Sequence, residues 1–154
     1  MIRLSRLTDY GIVVVSQMAM DPAAVRTAPD LARASGLPAP TVSKLLKLLN
    51  RAGLVESRRG VHGGYALARP LSDITAAEMI EALDGPVALT ACVDGSDSNC
   101  NVESLCPMRG GWDKINTAIR TALEAVSLAE LCAPVTFPER PRVTAPAPLP
   151  AAQG

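Results

Sequence analysis

The stretch Leu31-Ala-Arg-Ala-Ser-Gly-Leu-Pro-Ala-Pro-Thr-Val-Ser-Lys-Leu-Leu-Lys-Leu-Leu-Asn-Arg51 decides the fold. Just upstream, Thr27-Ala-Pro-Asp30 puts a capping oxygen three residues before an acid and a proline in the first turn, which starts a helix. That helix is short, because Gly36 follows Leu31-Ala-Arg-Ala34 and supplies a C-terminal cap. After Leu37-Pro38 a second helix is predicted over residues 39–52, closing at Gly53. Successive residues turn by about 100°. Val42, Leu45, Leu46, Leu49 and Ala52 therefore share the face expected to be buried, and Pro40, Thr41, Ser43, Lys44, Lys47 and Arg51 turn towards solvent, with 40, 44, 47 and 51 in one stripe. Two helices joined by a tight glycine turn outline a helix-turn-helix.

Working outward, residues 4–20 place Leu7, Tyr10, Val14, Gln17 and Met18 at helical spacing, and Asp21-Pro22 ends that helix. Downstream, Leu54-Val-Glu-Ser57 and Tyr65-Ala-Leu67 read as short strands flanking the glycine-rich basic turn Arg58-Arg-Gly-Val-His-Gly-Gly64. A hairpin after a helix-turn-helix is a wing. Thr75-x-x-Glu78 is a capping box opening another helix that ends at Asp84-Gly-Pro86. Residues 87–107 lack periodicity, and from Gly110 the spacing of Trp112, Ile115, Ile119, Ala122, Leu123 and Val126 marks an amphipathic helix. The tail 133–154 holds six of the 13 prolines and is expected to be disordered.

The formal net charge is zero over 154 residues, but the total hides a division. Residues 1–70 carry ten basic groups against four acidic ones, a surplus of +6, and residues 71–154 carry the compensating −6. With 48% hydrophobic and 19% charged residues the composition is that of a folding chain, not of a disordered one. Only four aromatics occur, Tyr10, Tyr65, Trp112 and Phe137, and a small core built on aliphatics and alanine favours oligomerisation. No run of 18 apolar residues spans a membrane. Arg3 and Arg6 precede an apolar stretch, but Ile12-Val-Val-Val15 is too short for a signal-peptide core, so a folded first helix and a cytoplasmic protein are expected.

Short polar side chains near a helix N-terminus and longer cations further along are what a helix seated in the major groove of double-stranded DNA needs. Taken singly, three cations on a helix are more simply a solvated face. The turn, the short preceding helix, the basic stripe and the wing all lie within about 40 residues, and that conjunction points to DNA. Arg58 and Arg59 at the wing tip are expected to enter the minor groove or pair with phosphate, and Gly60, Gly63 and Gly64 to allow close backbone approach. His62, the sole histidine, has no neighbouring ligand types and reads as a phosphate contact or an exposed side chain.

Cys92-x7-Cys100-x5-Cys106 lies in a polar segment containing Asp94-Gly-Ser-Asp-Ser-Asn99. The spacing fits structural zinc poorly, since zinc sites use cysteine pairs two to four residues apart. Three thiolates on such a segment suit an iron-sulfur cluster. A metal-free thiol redox switch is a further reading. Cys132, after the apolar Leu128-Ala-Glu-Leu131, reads as a core or interface residue. A cysteine nucleophile is disfavoured because no base is paired with it in the sequence, so no enzyme activity and no small-molecule substrate are expected.

Leu7-Thr-Asp-Tyr-Gly11, Leu31-Ala, Ser43-Lys-Leu-Leu46, Gly53-Leu-Val55, Arg59-Gly-Val-His-Gly-Gly-Tyr65 and the three-cysteine segment together resemble the IscR/NsrR/RirA family of bacterial winged-helix regulators over about residues 1–132. Ala88-Leu-Thr-Ala-Cys92 with Cys106-Pro-Met-Arg-Gly-Gly-Trp112 looks most like its branch of regulators of the SUF iron-sulfur assembly operon. The resemblance implies a repressor that is a homodimer, with a helix at the interface, and a cluster held by Cys92, Cys100 and Cys106, 2Fe-2S favoured and 4Fe-4S the alternative. It also implies a fourth ligand. IscR-type members place a histidine three residues after the third cysteine, where this chain has Arg109, which cannot ligate iron. NsrR-type members use an aspartate of the first helix donated by the other subunit, and Asp9 occupies that place; its other reading is an acid stabilised by the helix dipole. Nitric oxide and iron are further signals that the same scaffold serves.

The expected fold is thus mainly α, a winged helix-turn-helix with a two-stranded wing and a long C-terminal dimerisation helix. Residues 1–86 form the DNA-binding domain, 87–109 the cysteine cluster loop, 110–132 the dimerisation helix and a short terminal helix, and 133–154 the tail.

Overall fold

The computed structural model describes residues 4–90, 93 and 107–133. Cys92, Cys100, Cys106 and residues 134–154 of the tail lie outside them. In chain order the elements are α1 (Arg6–Ala19), α2 (Ala28–Ser35), α3 (Ala39–Arg51), β1 (Val55–Arg58), β2 (Gly64–Leu67), a 3-10 turn (Leu71–Asp73), α4 (Ala76–Asp84), α5 (Arg109–Glu124) and α6 (Leu128–Cys132).

Ser5 caps α1 by accepting from the N–H groups of Leu7 and Thr8. The face α1 buries is Thr8, Gly11, Val14, Val15 and Met18. It is rotated from the expected one, and Leu7 and Tyr10 sit half-buried at its edge. The reason lies across the interface. A Cβ at Gly11 would collide with the Leu83 side chain, so α4 approaches α1 over a residue that hydrophobic periodicity does not count. Thr8 is fully buried and donates its hydroxyl to Asp84 at 2.9 Å.

The start of α2 is built as its capping signal requires. The Thr27 hydroxyl accepts from the Asp30 N–H at 3.3 Å and donates to the Asp30 carboxylate at 2.6 Å. Gly36 ends the helix at φ 70°, a left-handed value that any side chain would strain. Val42, Leu45, Leu46 and Leu49 of α3 are completely buried. Removing one such leucine from water is worth about 1.5–3 kcal/mol. Ala52 departs from the expected buried face. It is the exposed C-cap, because Gly53 at φ 74° swings the chain into β1.

β1 and β2 pair antiparallel in the register Val55↔Leu67 to Arg58↔Gly64. A third segment joins them. The Arg26 N–H donates to the Tyr65 carbonyl at 2.9 Å and the Tyr65 N–H to the Arg26 carbonyl at 2.8 Å, which ties the α1–α2 connection to the wing.

Both halves of the capping box of α4 form, with Thr75 and Glu78 exchanging bonds to each other's N–H groups. Ser127 and Glu130 repeat the device at the start of α6. The two caps lie side by side. The Ala76 N–H donates to the Val126 carbonyl and the Leu128 N–H to the Ile74 carbonyl, each at 2.8 Å. This bridge returns the chain to the core, where Leu128 is fully buried among the leucines of α3 and the valines of α1. Among the described residues no helix is long and apolar enough to cross a membrane.

Candidate nucleic-acid interface

With its leucines fastened below, α3 presents Pro40, Lys44, Lys47, Asn50 and Arg51 fully to solvent, and Thr41 and Ser43 half-buried at the edge of that face. Lys44, Lys47 and Arg51 make no ion pair with any described residue. Their charges are therefore not neutralised by any described residue. The N-cap of α3 is Pro38, which offers no side-chain acceptor, and no side chain caps this end of the helix.

The wing is held by its own geometry. Gly60 adopts φ 122°, and the Gly63 N–H closes the turn onto the Gly60 carbonyl at 2.9 Å. A Cβ on Gly63 would stand 2.6 Å from the Arg58 carbonyl, and one on Gly64 2.6 Å from the Arg26 carbonyl. These glycines are required by the close approach of the hairpin to itself and to the α1–α2 connection, a reason independent of any ligand. The two wing arginines differ. Arg58 is held by Glu56, its same-face neighbour on β1, at 2.9 Å, whereas Arg59 has no ion-pair partner among the described residues. His62 is exposed beside Val61, which is 98% exposed.

Asp9 lies in the first turn of α1, exposed, and lines a surface cleft with Leu4, Ser5, Arg6 and Asp84. Asp84 is fully engaged, accepting from the Ser5 N–H at 3.0 Å, from the Ser5 hydroxyl and from Thr8. Burial pushes its carboxyl up, but the bonds from Ser5 and Thr8 prevail and hold it below the usual carboxylate range. No three His, Cys, Asp or Glu side chains converge among the described residues. The candidate cluster donors are otherwise the thiols of Cys92, Cys100 and Cys106, soft ligands whose chemistry fits iron and sulfide. Cys132 ends α6 half-buried against the core, and burial pushes its thiol up, which suppresses thiolate formation.

Sequence reasoning missed Asn50, the Arg26–Tyr65 bridge and the engagement of Arg58. The last was recoverable, since residues two apart on a strand share a face.

A helix-turn-helix on a leucine core, followed by a glycine-pinned two-stranded wing, defines a winged-helix DNA-binding protein. The Rrf2 family, described as iron-dependent transcriptional regulators, matches residues 4–134, and the chain belongs to that family. It is therefore a transcriptional regulator and not an enzyme. Among its relatives, protein aau3 of Rhizobium meliloti strain 1021 is 32% identical over 123 residues, covering 80% of this chain and 75% of that protein. Among solved structures, CymR, the global cysteine regulator of B. subtilis, superposes with a TM-score of 0.63 at 26% identity, over 86% of this chain and 97% of CymR. IscR of T. potens superposes at 0.58 and 25% identity, over 84% and 85% of the two chains.

Proposed function

We propose that the protein is a cytoplasmic, homodimeric repressor that reads operator DNA with α3 and the wing and reports iron-sulfur status through its cysteine segment, with the SUF iron-sulfur assembly operon as its target. The observation that carries the DNA reading is the exposed stripe Lys44, Lys47 and Arg51, unpaired among the described residues, on a helix locked from below by three buried leucines and a valine. Thr41 and Ser43 sit near the N-terminus of α3, where short side chains reach base edges, and the cations behind them meet phosphate. Arg58, Arg59 and His62 extend the contact along the wing.

The second copy is supported by α5. Its apolar stripe is not covered by the described residues: Ile115 is 44% exposed, and Trp112, Ile119, Leu123 and Val126 are only half-buried. Beside it lies a cavity of about 230 Å³ walled by Leu4, Ile12, Met79, Leu123, Val126 and Leu131. A second α5 laid along this face gives a two-fold dimer whose reading helices address half-sites about 34 Å apart.

Cys92, Cys100 and Cys106, with Asp9 from the other subunit, are the residues that would hold the cluster. A bound iron-sulfur cluster supplies a labile redox-responsive centre. By linkage, DNA distinguishes loaded from unloaded protein only as far as the two forms differ in the placement of their reading helices. Protein purified without oxygen is expected to carry iron and sulfide in equal amounts, and its affinity for the SUF promoter, followed by fluorescence anisotropy, to change on their removal. Stoichiometric zinc and no sulfide would overturn the cluster. The likeness to CymR favours a second reading, a metal-free thiol-responsive regulator, which the same iron and sulfide assay separates.

A further inference from the structure

The apex of the wing carries an apolar side chain that almost nothing covers. Val61 is 98% exposed, and of the other large apolar side chains described the next, Met20, stands at 78%. A lone exposed aliphatic is ordinary on a protein surface. This one, however, is held out by a built turn. The Gly63 N–H donates to the Gly60 carbonyl at 2.9 Å, which makes Val61 and His62 the two central residues of a β-turn. Turns favour glycine, asparagine, aspartate, serine and proline, each for a local reason, and a β-branched aliphatic offers none of them. The turn is also fixed from behind. Arg58 pairs with Gly64 across the hairpin, and the bridge between Arg26 and Tyr65 ties the second strand to the α1–α2 connection.

The arm that carries Val61 is thin. Gly60, Gly63 and Gly64 have no side chains, and a Cβ on Gly63 would stand 2.6 Å from the Arg58 carbonyl. Beyond Arg59, therefore, only Val61 and His62 project from the turn, and all three are exposed. The minor groove of DNA is about 6 Å wide, too narrow for a hairpin clothed in side chains on both strands but open to a turn stripped of them. Its floor presents acceptors at every base pair, and G·C adds the guanine N2 amino group, a donor. An isopropyl group cannot accept from that amino group, and its branch at Cβ leaves it few rotamers in which to move aside. Over A·T the same place holds only a C–H. Arg59 and His62, on either side of Val61, supply N–H donors for the acceptors of neighbouring pairs.

We infer that Val61 is a specificity-determining contact: it seats on the floor of the minor groove beneath the wing and selects A·T over G·C there. The inference rests on the DNA reading proposed above and adds to it a residue without charge, so shape and charge can be separated. A duplex is selected from a random-sequence pool by the full-length wild-type protein. Each A·T pair of the recovered sequence is then replaced in turn by G·C and by inosine·cytosine, which keeps the major-groove face of G·C but lacks the guanine amino group. At the pairs beneath the wing, G·C is expected to weaken wild-type binding about tenfold and inosine·cytosine by no more than about twofold. In Val61→Ala the G·C penalty is expected to shrink to about twofold. The slope of log affinity against log salt should stay at the wild-type value in that variant, because no phosphate contact is lost, whereas Arg59→Ala lowers it by about one unit. An undiminished G·C penalty in Val61→Ala overturns the role of Val61. So do equal penalties for G·C and inosine·cytosine at every position in the wild type, and so does a salt slope lowered in Val61→Ala as in Arg59→Ala, which would mean a displaced wing. Wild-type protein that recovers no duplex from the pool overturns the DNA reading itself instead.

Discussion

α3 and α5 are both amphipathic helices of similar length, 13 and 16 residues, yet they stand in opposite situations. In α3 four apolar side chains are completely buried and the cations point outward, so the helix is finished within one chain. In α5 the apolar side chains are only partly covered, and the single buried side chain among those described is the polar Asn116. The difference teaches that hydrophobic periodicity reports which face of a helix wants cover and says nothing about who supplies it. For α3 the cover comes from α1, α2 and α4 of its own chain. For α5 the proposed supplier is a second molecule.

The contrast can be broken from either side. Truncating the finished core should have the largest effect: Leu46→Ala is expected to cost about 2–5 kcal/mol in chemical denaturation, because the cavity it leaves is walled by side chains already locked in place. An equal cost for Leu46→Ala and for Ile119→Ala in monomer would mean that α5 is as complete as α3. Placing a charge on the unfinished helix comes next. Ile115→Asp is expected to weaken dimerisation by about 2 kcal/mol in sedimentation, with helix content retained, since a buried unpaired carboxylate is costly only where a partner covers it. An unchanged dimer would remove α5 from the interface.

The outward face of α3 gives a smaller effect but a sharper one. Lys44→Ala with Lys47→Ala is expected to lower the slope of log affinity against log salt by about two units while leaving Tm nearly unchanged. Arg58→Ala is expected to change that slope less than Arg59→Ala, because Glu56 already neutralises Arg58 in the free protein. Equal losses would mean that the Glu56 pair opens on binding at no cost.

The smallest effect concerns acid. The Asp84 carboxyl is held below its ordinary value by Ser5 and Thr8, so its folded-state pKa lies under the unfolded one. Its contribution to stability is fully present above pH about 5 and is lost as pH falls below about 4 towards the lowered value. Asp84→Asn is therefore expected to cost about 1 kcal/mol at neutral pH and progressively less in the acid arm of a Tm–pH profile. A constant difference across the profile would show that the carboxylate charge is irrelevant to the contact.

What was legible in the sequence was whatever a short window encodes. The starts of α2 and α4 were readable from Thr27, Asp30, Thr75 and Glu78, the end of α2 from Gly36, and the wing from its glycines and flanking strands. The stripe on α3 was legible because 3.6-residue periodicity is local, and only Ala52, one residue past the last turn, fell on the wrong side. The parts that were not legible are joined over distance. The face of α1 turns on Gly11 and Thr8, whose burial depends on Leu83 and Asp84. The bridge at Arg26 exists only through Tyr65, and Asn116 has meaning only through Val87 and Leu89. Gly11, Thr8 and Asn116 are small or polar residues buried against partners far along the chain, and single-sequence hydropathy assigns such residues to the surface.

The bridge between Thr75 and Ser127 also bears on how the molecule comes into being. Leu128, carried in by that bridge, is fully buried in the same cluster as the leucines of α3. A ribosome making this chain finishes α3 and the wing some 60 residues before Leu128 is added. During that interval one fully buried member of the cluster is still to be made, and the last described helix supplies it. The core beneath the part that meets DNA is thus completed only once the part proposed to sense and to pair has been synthesised.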